Sequence, residues 1–218
     1  MNADHILGAV AVACALALFG CASADSAADI DRYTAEALKS SFRDQGIAKV
    51  DRLVQDPANR ACSEADASGK PLDEKTAKEI EAANMKTIRW PADGRFVGDW
   101  REGEKIAQNG RGLTWTDAAA SAKGPANGGN CYNCHQMSKE EISFGTLGPS
   151  LYQYGKLRGV SDPAAAASKP IVDYTWGKLW NARAYNACSN MPRVGHNGNL
   201  AEAQIKDVMA LLLDPKSP

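Results

Sequence analysis

The sequence lacks a surplus of charge. Its 218 residues carry 25 Lys and Arg against 26 Asp and Glu, a formal net charge of −1. Such a balance leaves no electrostatic footprint for nucleic acid and no strong long-range steering of a partner. The chain also lacks runs of five or more like charges and repeats at solenoid periods, which argues against charged tails and stacked-repeat architectures. No convincing period-two strand pattern is present. The apolar run from Ile6 to Phe19 is 14 residues long, short of the roughly 20 that a spanning helix needs.

That run followed by Ala22-Ser23-Ala24 has the layout of a secretory signal with an A-x-A cleavage site. The weak point is the n-region, where only the start amine and His5 offer positive charge, and a buried N-terminal helix is the alternative. Leu18-Phe19-Gly20-Cys21 resembles a lipobox, which would put a lipid anchor on Cys21. Residues 1–24 are accordingly read as a signal segment and the mature chain as exported to the periplasm. Either cut removes Asp4 and leaves 25 basic and 25 acidic residues. Export means an oxidising compartment, where unpaired cysteines tend to be joined. Cys62, Cys131, Cys134 and Cys188 remain to be accounted for.

Residues 131–135 read CYNCH. C-x-x-C-H is the attachment pattern of a c-type haem. Two thiols one turn apart reach the two vinyl groups on one haem edge, and the histidine that follows directly presents its imidazole to the iron. A zinc site would want a second pair of Cys or His nearby, and none is there. A thioredoxin-like pair would want a βαβ context, also missing. Cys131, Cys134 and His135 are therefore expected to hold one covalently attached haem c. Pro149 lies in Gly148-Pro149-Ser150-Leu151, which begins 13 residues after His135. Its carbonyl can accept from the second ring nitrogen of the histidine, fixing the tautomer.

The second iron ligand is sought in ACSNMPRVGHNG at 187–198. Met137 is tethered to the side of His135 and cannot cross the ring. Met85 and Met209 lie in helical patterns and are assigned to the core. Met191 is 56 residues after His135, far enough for the chain to wrap one haem edge, and Pro192 stiffens the backbone beside it. A thioether would raise the potential. His196 is the rival, and an open position the third choice. Cys62 and Cys188 are then left over, a candidate disulfide that would pin the N-terminal segment beside the ligand loop. The alternatives are two free thiols or a bond to another chain.

Helical spacing predicts two helices over 29–56, divided by Gly46, and a third over 73–88 with Asp73 as its cap. These make a helical extension, 25–96. The cytochrome domain, 97–218, opens with a helix in GDWREGEKIAQNG that stops at Gly110, followed by a polar insert at 111–130. A helix over 173–186 carries Trp176 and Trp180 into the core or haem edge. A last helix starts at Asn199 with Glu202 as capping-box partner, its apolar face being Ile205, Val208, Met209 and Leu212. The fold class is mainly α, a class I cytochrome c-like domain with an N-terminal helical extension.

GDWREGEKIA, GGNCYNCH, GTLGPSL, ACSNMPRVGH and NLAEAQIKDVMALLLDP together resemble the SoxX family, the monohaem subunits of SoxAX complexes in thiosulfate oxidation. The resemblance covers roughly residues 30–218, with QDPANRACS as in the longer members, and the 111–130 insert departs from the commonest shape. It implies a heterodimer with a SoxA-like cytochrome and a SoxYZ carrier whose cysteine receives thiosulfate. The bond-forming haem would lie in the partner, an L-cysteine S-thiosulfotransferase in which this chain is non-catalytic. It would pass electrons to a small acceptor cytochrome. The resemblance also implies Cys131 and Cys134 as haem attachment, His135 as proximal ligand and Met191 as distal ligand. A free electron shuttle of the same fold is the alternative. A haem-free binding module with a Cys131–Cys134 disulfide is a third.

Overall fold

A computed structural model describes residues 26–112, 114, 116 and 127–217. The signal segment, Cys21 and most of the 111–130 insert lie outside the described residues. The described residues are helical, with no strand beyond one isolated bridge between Gln45 and Ala48. The mainly α expectation holds. Packing divides the chain into two compact units, Met1–Arg43 and Asp44–Pro218.

The first unit contributes helix α1, Ala27–Ser41. Ser26 and Asp29 cap it reciprocally: the Asp29 amide donates to Ser26 Oγ at 3.2 Å and the Ser26 amide to Asp29 Oδ2 at 3.3 Å. None of its residues is buried.

In the second unit, the helix expected after Gly46 is only a 3-10 turn, Val50–Leu53. The helix forms later, as α2, Pro57–Ala67. Proline bars helical geometry from the residue before it, so Asp56 sits extended at φ −70°, ψ 162° and serves as the cap. Its carboxylate accepts from the Asn59 amide at 2.7 Å. Helix α3, Glu74–Met85, starts at Asp73, whose carboxylate accepts from Thr76 N at 3.0 Å. Met85 ends this helix about two-fifths exposed, so it does not belong to the core as expected.

Helix α4, Trp100–Gln108, is capped by Asp99 and crosses the C-terminal helix α7, Glu202–Leu213. The crossing is close because Gly103 has no side chain: a Cβ there would lie 2.1 Å from the Asp207 carbonyl oxygen. Helix α7 begins three residues later than expected. Gln204, not Glu202, reaches back to the Ala201 amide at 3.0 Å, while Glu202 pairs with Lys206. Its expected apolar face is buried, Ile205 and Met209 completely.

Between them lie a short helix α5, Tyr154–Leu157, and α6, Lys169–Trp180. Helix α6 starts earlier than the expected 173 because Pro170 stands in its first turn, and it stops at Asn181, whose backbone is extended. Trp176 is fully buried and stacks on Trp180 at 5.9 Å, with Phe96 edge-on at 5.5 Å. The two indole N–H groups donate to the Arg89 and Thr87 carbonyls at 2.8 and 3.1 Å. These bonds tie residues 87–89, just beyond α3, to the core of α4, α6 and α7.

Candidate functional site

The CYNCH motif forms a single 3-10 turn, Cys131–Asn133, entered through Asn130 in the left-handed region at φ 51°. Asparagine tolerates that conformation better than most residues. The Cys134 and His135 amides both donate to the Cys131 carbonyl, at 3.0 and 2.9 Å, which aims the three side chains of the motif. The GTLGPSL segment runs alongside in the same direction. Gly145, Gly148 and Leu151 donate their amides to the Tyr132, Cys134 and Gln136 carbonyls, each at 2.8 Å.

This ladder brings Pro149 to His135. Nδ1 of the imidazole donates to the Pro149 carbonyl at 2.7 Å, so Nε2 carries the lone pair. Gly148 makes the approach possible, since a Cβ there would lie 2.1 Å from His135 Cε1 and 2.4 Å from Nδ1. Cys131 and Cys134 are free thiols, not the disulfide of the haem-free alternative. Burial, with the neighbouring Cys134 adding to it, pushes the Cys131 thiol up to about 11. A redox or nucleophilic cysteine needs the opposite shift. Among the described residues, no three His, Cys, Asp or Glu side chains converge on a metal position.

Met191 is half-buried and packs against the apolar core that also receives Cys131 and Leu151. Met137 and Met209 are buried within that core. His196 is exposed, with its backbone amide donating to the Trp180 carbonyl at 2.9 Å. Partial burial of its ring, then the Arg193 charge, hold its pKa below the ordinary value.

Cys62 and Cys188 form a disulfide, 126 residues apart in sequence. It is one of several ties between residues 56–87 and the 181–193 segment. Asn181 is fully buried and its amide donates to Asn84 Oδ1 and Thr87 Oγ1, both at 2.9 Å. Glu81 accepts from the Ala187 amide at 3.2 Å. Asp56 takes Arg183 Nη1 on both oxygens, at 3.1 and 3.2 Å, and Arg193 Nη2 at 2.8 Å. Arg183 also donates to Asn59. Burial works against the charged form of Asp56. The Asn59 amide, the Arg193 hydrogen bond and the two guanidinium charges outweigh it and hold the carboxyl below the usual range.

Apart from Cys62 and Cys188, no sequence pattern brings these residues together. Among the polar ones, the Asp-Pro step at 56–57 is the one local signal, marking a helix start. Asn59, Arg183, Met191 and Arg193 line a polar groove of about 280 Å³. A larger surface hollow, about 560 Å³ along Glu74–Ala82, lies on α3 and touches none of the site residues.

A cytochrome c family model matches residues 102–215, just over half the chain. The chain belongs to the cytochrome c family, whose members carry covalently bound haem c. A protein of Aquifex aeolicus (strain VF5) described as an uncharacterized lipoprotein is 38% identical over 141 residues. That match covers 65% of this chain and spans 60% of the relative's length. The residues present fit a haem c. Two free thiols three positions apart can make the thioether bonds, the next residue offers a ring nitrogen with its lone pair free, and a thioether stands on the same core.

Proposed function

We propose that this chain is an exported monohaem cytochrome c, the electron-transfer subunit of a SoxAX-type complex that joins thiosulfate to a carrier-protein cysteine. The observation that carries the haem assignment is the His135–Pro149 hydrogen bond at 2.7 Å beside two free cysteines. In this reading Cys131 and Cys134 would anchor the haem, and His135 and Met191 would bind the iron. The haem supplies one-electron transfer. Pro149 holds the His135 ring in the tautomer that offers Nε2, and raises its basicity. Met191, soft and neutral, favours the ferrous form and a high potential. Its place against the apolar core, with His196 exposed among charged groups, is what favours the methionine.

Support for a subunit rather than a shuttle comes from two directions. The SoxX-like segments at 98–107, 128–135, 145–151, 187–196 and 199–215 come from distant parts of the sequence. In addition, Ile142 is 99% and Leu147 85% exposed on the loop that closes over CYNCH. Two large apolar side chains held in water beside a redox motif suit a surface that a partner covers. The partner would be a SoxA-like cytochrome, which would make the sulfur bond, with SoxYZ as carrier and a small cytochrome as acceptor. Periplasmic location fits the N-terminal signal pattern, and the lipoprotein name of the Aquifex relative adds weight to a lipid on Cys21.

The test is to recover the tagged protein from its native host grown on thiosulfate and to count haems per complex. A stable heteromer with extra haem on a second cytochrome supports this reading. A lone one-haem monomer favours the free shuttle instead. Separately, Met191→Ala should leave the haem attached and lower its potential, read by redox titration; an unchanged potential rejects the ligand assignment.

A further inference from the structure

Met191 sits in a loop with little internal support. Its own amide donates only to Ser189 Oγ, at 3.3 Å, and Pro192 has no N–H to give. Short local bonds, such as those of the Cys188 and Ser189 amides to Asn186, are supplemented by ties from elsewhere in the chain. Cys188, three residues before Met191, is bonded to Cys62, and Arg193, two residues after it, is paired with Asp56. Both anchors belong to one helix, α2: Asp56 is its cap and Cys62 lies in its second turn.

We infer that Asp56 is a positioning residue for the iron-ligand loop: through Arg193 and Arg183 it keeps Met191 closed on the core, with the Cys62–Cys188 bond as the second arm. The inference rests on the reading of Met191 as the ligand. Its physical basis is the charge arrangement. Arg183 and Arg193 are only 11% and 18% exposed, and one carboxylate serves both. Water screens such a cluster less than it screens surface pairs. Without the Asp56 charge, two guanidinium groups face each other with no counter-ion. The nearest relief is for Arg193 to swing outward, taking Pro192 and Met191 with it. The groove beside them leaves room for that movement.

Asp56→Asn isolates the charge, because asparagine caps a helix as well as aspartate does. Asp73→Asn is the control, a cap on α3 that carries no arginine. Imidazole is the probe, since it reaches ferric iron only when the methionine has left. Its apparent affinity therefore scales with the fraction of open loop. In the haem-loaded protein, Asp56→Asn should bind imidazole about tenfold more tightly than wild type. The sulfur-to-iron charge-transfer band should weaken in parallel, with the far-ultraviolet helix signal unchanged. Asp73→Asn should match wild type. Arg193→Gln removes the same arm without touching α2 and should shift in the same direction, which keeps the test intact if Asp56→Asn folds poorly.

Imidazole affinities within twofold of wild type for both Asp56→Asn and Arg193→Gln, with Met191→Ala binding tightly, would overturn the positioning role and leave the ligand reading standing. If Met191→Ala itself binds no more tightly than wild type, Met191 is not the ligand and the inference falls with that reading.

Discussion

The two sides of the proposed haem site, at His135 and at Met191, are held by different kinds of structure. On the His135 side the ties nearest the ring are local, and the farthest, Gly129 to the Ile106 carbonyl, spans about two dozen residues. The ring is tied to a carbonyl 14 residues away, and the CYNCH turn and the Gly-Pro loop pair through three backbone bonds. On the Met191 side the few local bonds, such as Ser189 to Asn186 and Met191 to Ser189, are joined by remote ones. The ties to Asp56, Cys62, Glu81 and Asn84 span 97 to 137 residues and use side chains, one a covalent bridge. A side built from short backbone loops forms once its own segment folds. A side built from remote side chains exists only after the chain has closed on itself, since each tie must first offset the entropy of closing a long loop. The Met191 side should therefore be the part that opens first.

The largest expected effect on this contrast is loss of the disulfide. Changing both Cys62 and Cys188 to alanine frees a loop of more than a hundred residues. Global stability should fall by about 2–5 kcal/mol, measured by urea unfolding. Equal protection of the two sides in hydrogen exchange after that change would break the comparison. Next is Gly103→Ala, which drives a methyl group into the Asp207 carbonyl where α4 crosses α7. The two helices must separate, at a cost of about 1–3 kcal/mol. This crossing serves both sides, so both should weaken together by hydrogen exchange.

Gly148→Ala is the matching perturbation of the His135 side. The added Cβ overlaps the imidazole ring and should break the bond to Pro149. About 1–2 kcal/mol of stability should be lost, with altered haem absorption. Retention of the native spectrum would show that the Gly-Pro loop is more pliable than its ladder suggests. The smallest effect is that of acid on Asp56. Its folded pKa is lowered, so the clamp contributes fully above the unfolded carboxylate value near 3.9 and is lost as pH falls through the folded value. With Asp56 itself about one-third exposed, the contribution is about 1 kcal/mol. Acid below about pH 4 should then release the Met191 side before the His135 side, read as early loss of the charge-transfer band.

Legibility followed the same division. CYNCH, the Pro149 partner and the cap at Asp73 are written in residues close together in sequence, and the His135–Pro149 bond and the Asp73 cap are present in the structure. The Cys62–Cys188 bond was reached by elimination, a matter of counting rather than position. The apolar spacing over 47–56 does not make a helix, because Leu53 and Val54 face solvent and the Asp-Pro step starts the helix at Pro57 instead. Nothing in the local sequence tied Asp56 to Arg183 and Arg193, or Asn181 to Asn84.

The sequence by itself determined the class of chemistry, because covalent haem attachment and its histidine need only five adjacent residues and a loop that follows soon after. It also determined the helical class, through caps and 3.6-residue periodicity. Only the tertiary structure decided what braces the methionine. A charge pair across 137 residues is set by where α2 comes to rest, and that depends on the whole core beneath it: Trp176, Trp180 and the glycine-spaced crossing of α4 and α7.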